Sequence, residues 1–589
     1  MRTGWWTLAA AIVAAAGCGT VGGGSSAPSA NTGAAAPSEA ASRVDAALEK
    51  AWADRGLVVA PEVDDATYLR RLSIDLMGRI PSVAELRAFE ADPPADRRAR
   101  AVDRMLASPE HASHLARTWE RILLGPAVKN RLVDRAALRR WLEARFAADA
   151  PWDETVRLLL AAEGKSSLGG GRAEALVDED PERARLEREQ GVNGATNFLL
   201  RFARAPEDLA GTASRAFMGV QIQCAQCHDD KSEKWLQSDF RGLTASFVRV
   251  KIDPIEREKR AMPVFEITSI DRPAPRLRKS ESLAVLAKVP PRALDGTPLD
   301  RGDPRQALGA WMTSPDNPWF SKAIVNRAWA EMIGQGLVEP VDDLAENNPP
   351  VMPELFAGLA EDFEKSGYDL DGLYRALALS RAYSRGVAQG SGTPRDQLFA
   401  RAALEPLSAD ALLDSIFVAT EVDQRIADRA PGRVAELKSR VRRRMEFVFD
   451  EDSESNGDGY SGTLQQALFT MNGGLPLAAT AVADGSLLEG LLESSDDDTI
   501  IQELFLRTLS RAPTPDELAA ARALVAAGGA NDSAGGPAKR KNAKGKMKKK
   551  LGGDLAGDAV RSTADSPRER GFEDLFWSLL NSSELAFRR

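Results

Sequence analysis

The chain has 589 residues, of which 43% are hydrophobic and 28% are charged, a composition that excludes a largely disordered protein. The 77 Lys and Arg residues against 86 Asp and Glu residues give a formal net charge of −9. This charge excludes a function in which the whole chain binds nucleic acid, because such proteins need a strongly basic surface. Three cysteines and three histidines exclude a disulfide framework and leave few combinations for a metal site.

The first residues predict export. Arg2 precedes an apolar stretch, Trp5 to Ala16, that is too short to span a bilayer, so residues 1–17 are typical of a signal peptide. The sequence Ala-Ala-Gly-Cys that ends at Cys18 resembles the bacterial lipobox, which predicts acylation of Cys18 and anchoring to the membrane. Gly19 in place of Asp favours the outer membrane. Residues 18–42, rich in Gly, Ser, Ala and Pro, are expected to form a flexible linker that holds an envelope lipoprotein.

Apolar residues recur at helical spacing through most of the remaining chain, as in Leu69, Leu72 and Leu76. The pattern predicts a mainly α fold with two helical domains, at 43–250 and 303–526, and a final helix at 571–589. Between the domains, residues 251–302 form a proline-rich connector. It contains the best candidate for a strand, Val264 to Thr268, so we expect at most a small β element there.

A short sequence pattern occurs near both ends of the chain. Residues 79–86 and 511–518 share Arg-x-Pro-Ser/Thr-x-x-Glu-Leu. Ser82 with Glu85, and Thr514 with Glu517, have the spacing of a capping box. The pattern indicates either two independently capped helices or a repeated helix-turn-helix unit.

Residues 527–570 contain a block of eight basic residues between Lys539 and Lys550, set among Gly, Ala and Asn. Because like charges repel and this composition cannot form a core, we predict a disordered loop. It is either a solvated insertion or a contact with anionic lipid or polysaccharide near the membrane.

The clearest chemical motif is Cys224-Ala-Gln-Cys227-His228. Cys-x-x-Cys-His is the attachment sequence of c-type haem, in which both thiols bond to the haem vinyl groups and the imidazole becomes an axial iron ligand. Export agrees with this chemistry, because c-type haem is attached outside the cytoplasm. Haem c is therefore the expected cofactor, held by Cys224, Cys227 and His228.

Two alternatives to haem remain open. Cys224 and Cys227 could form a short disulfide or redox pair in an oxidising compartment. They could also bind zinc together with His111 and His114, which are spaced i, i+3 on a predicted helix. Met218 and Met262 are the nearest methionines for a sixth iron ligand, but core packing is the more ordinary role for both.

Weaker signals bear on catalysis. Glu339, Asp342, Asp343 and Glu346 could supply paired carboxylates for acid–base work or for a hard cation, although such clusters more often cap helices. The sequence contains no nucleophile elbow, phosphate-binding loop or dinucleotide fingerprint, which argues against serine hydrolases, NTPases and nicotinamide enzymes.

Further motifs carry a resemblance to known proteins. Residues 217–229 around the pentad, with Lys234-Trp235, resemble the domain of unknown function numbered 1549. The second half resembles its companion, numbered 1553. The matching residues there are Trp311, Ser314 to Pro318, Val325 to Arg327, Trp329, Gly336 to Asp343, Asn348 to Pro350 and Trp577 to Ser582.

The resemblance implies an exported, mostly helical protein of planctomycete-type bacteria, often encoded beside another exported protein that would be a partner. It implies no established activity. Relatives tend to carry a second histidine where this chain has Asp230, which would alter a metal site in which that imidazole is a ligand. Two functions follow as hypotheses: a haem protein for electron transfer or an oxidative step outside the cytoplasm, or a non-catalytic envelope scaffold that binds carbohydrate or a partner.

Overall fold

The computed structural model describes residues 39–125, 132–169, 181–229, 234–256, 262–274, 281–387, 393–429, 434–449, 474–528 and 562–588. The predicted signal peptide, Cys18, Asp230 and the basic block Lys539 to Lys550 lie outside these residues. The mainly α fold is confirmed. The expected linker at 18–42 overlaps the first helix, which begins at Glu39 and buries Ala41, so the helical part starts earlier than its composition suggested.

Helices occupy most of the described chain. In the first half they are α1 Glu39–Arg55, α2 Asp65–Met77, α3 Val83–Ala91, α4 Arg97–Leu106, α5 Pro109–Leu124, α6 Arg135–Phe146, α7 Trp152–Leu160, α8 Pro181–Glu189, α9 Thr196–Arg201, α10 Pro206–Met218, a 3₁₀ turn Gln223–Gln226, α11 Gln237–Ala245 and α12 Glu281–Leu286. In the second half they are α13 Pro304–Met312, α14 Phe320–Ile333, α15 Pro353–Lys365, α16 Leu370–Ala378, α17 Ala409–Thr420, α18 Val422–Arg429, α19 Val434–Phe449, α20 Gly474–Thr480, α21 Leu487–Ser494, α22 Asp497–Leu509, α23 Pro515–Ala527, α24 Pro567–Leu580 and α25 Ser583–Ala586.

Two small antiparallel sheets complete the described fold. Strand β3 (Val264–Ser269) pairs with β2 (Val250–Glu256) on one side and with the short β1 (Gly164–Lys165) on the other. Strand β4 (Glu405–Pro406) pairs with β5 (Phe587–Arg588). The strand expected inside the connector is therefore the centre of a three-stranded sheet that ties the connector to the first helical region.

The described residues form one compact unit, and their apolar side chains fall into two cores. The first core takes residues from Val44 to Ala400 and so includes helices on both sides of the connector. The second core combines residues from Leu407 to Leu585 with Ile74 and Ile80 of the first helical region. Packing therefore divides the molecule near residue 400 rather than at the connector.

Both predicted capping boxes are confirmed. Ser82 and Thr514 each accept from the amide of the glutamate three residues later, at 3.3 Å, and each glutamate accepts from the amide of its cap. An arginine three residues before each cap, Arg79 or Arg511, then binds both carboxylate oxygens of that glutamate. We call each of these helix-turn-helix units a corner. In each corner, hydrogen bonds join the arginine, the cap residue and the glutamate to one another.

The likeness extends to the first helix of each corner. Counting 432 residues onward from Asp64 aligns α2 with α22, and it pairs Asp64 with Asp496 and Thr67 with Thr499. In both helices that aspartate is the N-cap and accepts from the amide of the threonine. The structure therefore supports the repeated helix-turn-helix hypothesis: α2–α3 and α22–α23 have the same local construction.

The end of the chain closes the fold. We expected one final helix over 571–589, and this was wrong: α24 ends at Leu580, Ser582 caps the short α25, and β5 follows. Arg588 is buried and forms an ion pair with Asp75 of α2 at 2.7 Å and another with Glu405 of β4 at 2.8 Å. A buried guanidinium is stable only when carboxylates or other acceptors pair with it. The extended segment after α25 places Arg588 between Asp75 and Glu405, which supply these partners.

Candidate functional site

The Cys-x-x-Cys-His pentad forms a surface turn that follows α10. The helix ends at Gly219, whose φ of 63° is in the left-handed region. A Cβ on residue 219 would lie 2.8 Å from Cγ of Leu344, so a side chain is excluded there by contact as well as by conformation. The Leu344 amide donates to the Gly219 carbonyl at 2.7 Å. The loop around residue 344 therefore fixes the point where the chain leaves α10.

Two buried side chains hold the turn in place, while its cysteine and histidine side chains are exposed to solvent. Ile222 and Ala225 are fully buried, whereas Cys224, Cys227 and His228 are exposed. Both thiols are free. Buried and exposed residues thus alternate along this short segment. The two sulfurs and the imidazole are therefore all accessible to solvent.

Hydrogen bonds from α11 hold the far side of the turn. The Gln237 side chain donates to the Gln226 carbonyl at 3.0 Å, and its backbone amide donates to the Asp229 carboxylate at 2.9 Å. Nδ1 of His228 lies 2.8 Å from the Asp229 carbonyl oxygen. A proton on Nδ1 would satisfy that carbonyl and leave the Nε2 lone pair free for a metal.

His111 and His114, which we considered as zinc ligands, lie on α5, where His111 is buried and His114 is half-buried. His111 is 2% exposed, with Nδ1 2.8 Å from the Leu76 carbonyl and Nε2 3.4 Å from Asp371. Burial, followed by the charge of Arg117, lowers the pKa of His114 to about 3. Within the described ranges, no group of three or more His, Cys, Asp or Glu residues could hold a metal ion, so the structure does not assemble Cys224, Cys227, His111 and His114 into one site.

The four carboxylates considered for acid–base work lie in one segment, Glu339 to Glu346, which we call the acidic loop. Within the described chain its carboxylates have hydrogen-bond or ion-pair partners. The Asp342 carboxylate accepts from the side-chain amide of Gln221 at 3.3 Å and lies 3.6 Å from the Arg215 guanidinium of α10. Glu339 accepts from the Gly336 amide. Burial raises the pKa of Asp343, and a hydrogen bond from Asn348 opposes that shift. These contacts join the carboxylates to neighbouring loop and helix groups, and none of them caps a described helix, so they show neither helix capping nor acid–base catalysis for this loop.

The methionines considered as iron ligands belong to the core. Met218 is fully buried and Met262 is 3% exposed. The side-chain amide of Asn317 lies 3.8 Å from the Met218 sulfur. Core packing, the more ordinary role, is therefore confirmed for both.

A pocket that we had not predicted lies beside the pentad. It is a cavity of about 220 Å³ lined on one side by Val220 and Gln221, and on the other by Lys234, Trp235 and Trp319, with residues 343–347 completing it. The two indole rings lie 5.8 Å apart. Trp235 and Trp319 are 84 positions apart, and no short-range pattern in the sequence indicates that they meet.

Comparison with known proteins identifies the family. Residues 43–252 match the family model described as a protein of unknown function, DUF1549, and residues 304–525 match a second such model, DUF1553. The chain belongs to the proteins that pair these two domains. The pentad lies in the DUF1549 region and the acidic loop in the DUF1553 region, so the described site is built by both. No curated protein and no solved structure matches this DUF1549–DUF1553 chain.

None of the helices in the described part of the chain is both long and apolar enough to cross a bilayer.

Proposed function

We propose that this DUF1549–DUF1553 protein carries a c-type haem outside the cytoplasm, bonded through Cys224 and Cys227 with His228 as an axial ligand. It would serve electron transfer or an oxidative step there. The observation that carries the proposal is the anchored turn, which presents two free thiols and one imidazole together at the surface.

The residues fit the chemistry of the group. Covalent attachment needs accessible thiols, and both are exposed and unbonded. An axial imidazole needs one ring nitrogen for iron and a hydrogen bond that orients the other, and Nδ1 of His228 has such a partner in the Asp229 carbonyl. When bound, haem supplies one-electron redox chemistry at the iron. The chain's own contribution is to hold the turn through Ile222, Ala225 and Gln237.

Export is part of the proposal. The short apolar stretch before Cys18 supports a lipoprotein signal, and acylation would supply the membrane anchor. Cys18→Ser should release the protein from membranes, while Cys18→Ala tests the same loss without a hydroxyl. Retention of both variants in the membrane pellet after a salt wash would contradict the lipid anchor.

Covalent haem is tested on full-length protein expressed in the periplasm with a haem-maturation system. We expect a Soret band that survives acid–acetone extraction, because thioether bonds retain haem that mere ligation does not. Cys224→Ser combined with Cys227→Ser should abolish this band, and His228→Ala should alter both attachment and spectrum. His111→Gln is the matched control, since that histidine lies outside the turn and should leave the haem content unchanged.

The alternatives give different results in the same preparation. A disulfide predicts no Soret band and an intact mass two hydrogens below the reduced value. Zinc predicts about one equivalent of metal that falls when His111 or His114 is replaced. Protein that carries neither haem nor metal after such maturation would overturn the haem proposal.

A further inference from the structure

The pocket beside the pentad contains a buried hydrogen-bond donor that lacks a partner. Trp235 lines the pocket and is 4% exposed, yet its indole Nε1 has no hydrogen-bond partner among the described residues. Buried indole N–H groups normally find an acceptor, because leaving one unpaired costs free energy. The donor thus points to a ligand that brings an oxygen acceptor.

The positive charge that faces the pocket is already paired with a carboxylate. Nζ of Lys234 lies 2.5 Å from the Glu346 carboxylate and is stacked over Trp235 and Trp319, at 5.2 and 5.7 Å from the ring centroids. The ammonium therefore occupies the position that a ligand cation would take. Asp343 adds a second carboxylate to the lining, which disfavours an anionic ligand.

Charge and shape together define the ligand class. A neutral polyol ring offers oxygen acceptors to the Trp235 N–H, hydroxyl donors to carboxylates such as Glu346, and a C–H face to the part of the Trp319 ring that is exposed. The pocket adjoins a second cavity of about 420 Å³ that shares Lys234, Trp319 and Glu346 and continues toward Pro350. The continuation provides room for more than one ring.

We infer that this pocket, bounded by Trp235, Trp319, Lys234 and Glu346, binds a pyranose unit of a neutral oligosaccharide. The inference goes beyond the haem proposal and does not depend on it. The pocket borders Val220 and Gln221, so a bound sugar would contact the segment that leads into the pentad, although Cys224, Cys227 and His228 do not line the pocket.

The test is calorimetric titration of the full-length protein with cellotetraose, xylotetraose and mannotetraose as neutral probes. Choline and a heparin tetrasaccharide serve as cationic and anionic comparisons. We expect at least one neutral probe to bind, and Trp235→Phe, which keeps a ring but removes the N–H, to weaken that probe about fivefold. Trp319→Ala should weaken it about tenfold or more, because it removes an aromatic wall.

Trp141→Phe is the matched control, because Trp141 is a partly buried tryptophan of α6 that does not line the pocket. It should leave affinity within about twofold. Melting temperatures verify that each variant is folded. If Trp319→Ala does not fold, the conservative Trp235→Phe still tests the inference.

Three results would overturn the inference. The first is that no neutral probe binds with a dissociation constant below about 10 mM, since a weaker affinity would not indicate a specific site. The second is that choline or heparin binds more tightly than every neutral probe, and the third is that Trp235→Phe leaves the affinity unchanged. Haem staining of the same samples separates the two proposals. Sugar binding without haem contradicts the haem proposal alone, and haem without sugar binding contradicts this inference alone.

Discussion

The two Arg-Pro corners, Asp64 to Leu86 and Asp496 to Leu518, use the same local bonds in different surroundings. In each, an aspartate caps the first helix, an arginine binds a glutamate through two nitrogens, and a hydroxyl caps the second helix. The arginine also donates to the next carbonyl at 3.1 Å in both. Local sequence is therefore sufficient to set this geometry wherever the corner is placed.

The residue that turns the chain between the helices differs. Gly78 and Ser510 are both in the left-handed region, with φ of 69° and 61°. A Cβ at position 78 would clash with the His114 ring, which leaves room for glycine alone. At Ser510 the hydroxyl has space and accepts weakly from Arg70 at 3.4 Å. Packing against the rest of the molecule, rather than the corner itself, decides which residue is tolerated.

The arginines also have different surroundings. Arg511 shares its charge between Glu517 and Glu584, both at 2.8 Å. Arg79 is more buried, and its second carboxylate, Glu110, is 4.0 Å away. The first corner therefore depends more heavily on one glutamate than the second corner does.

Exchanging the turn residues should give the largest contrast. Gly78→Ser adds left-handed strain and overpacks His114, so we expect a loss of about 2–4 kcal/mol of stability. Ser510→Gly relieves backbone strain and leaves Arg70 its bond to the Thr508 carbonyl at 3.2 Å, so a change within about 1 kcal/mol is expected. Urea unfolding of both variants measures the difference, and equal losses would refute the packing argument.

Removing the corner carboxylates should give the next largest effect. Glu85→Gln leaves the partly buried Arg79 without its close charged partner, and we expect a cost of about 2 kcal/mol. Glu517→Gln should cost about 1 kcal/mol, because Arg511 retains Glu584. Hydrogen exchange of the amides in α2–α3 and α22–α23 reports the two corners separately. A larger loss at the second corner would contradict this ranking.

The extent to which sequence predicted these features follows from the range of the bonds. The capping boxes join residues three apart, and the pattern at 79–86 and 511–518 predicted both. The Cys-x-x-Cys-His motif likewise indicated one short chemical unit. In contrast, the contacts of Arg588 with Asp75, of Lys234 with Glu346 and of Trp235 with Trp319 join distant segments. Such contacts depend on how the whole chain packs, and so no local pattern announced them.

Acid should affect the first corner before the second. The His114 pKa is lowered to about 3 from an ordinary 6.5, so the neutral ring contributes stability above pH 6.5 that is lost as pH falls toward 3. Between pH 7 and pH 5 we expect a loss of about 1–2 kcal/mol. Glu517, whose pKa is lowered to about 2, loses its contribution only below about pH 4.5.

Hydrogen exchange at pH 7 and pH 5 tests this order. Opening of α2–α3 should become easier at pH 5 in the natural protein, whereas α22–α23 should change little. In His114→Asn, which removes the titrating group, the first corner should no longer respond over this range. A response that persists in the variant would assign the pH dependence to another group.

The smallest expected effects come from the caps themselves. Ser82→Ala and Thr514→Ala each remove a hydroxyl that accepts at 3.3 Å from the glutamate amide, so each should cost about 1 kcal/mol. The conservative exchanges Ser82→Thr and Thr514→Ser keep the hydroxyl acceptor. Thr514→Ser should leave the free energy of unfolding nearly unchanged, because that cap is exposed. Hydrogen bonds from the Ser82 and Thr514 hydroxyls also help to lower the pKa of Glu85 and of Glu517, so the two losses should be about equal. A clearly larger cost at one cap would mean that the side chains packed around a corner, and not its own hydrogen bonds, decide how much the cap contributes.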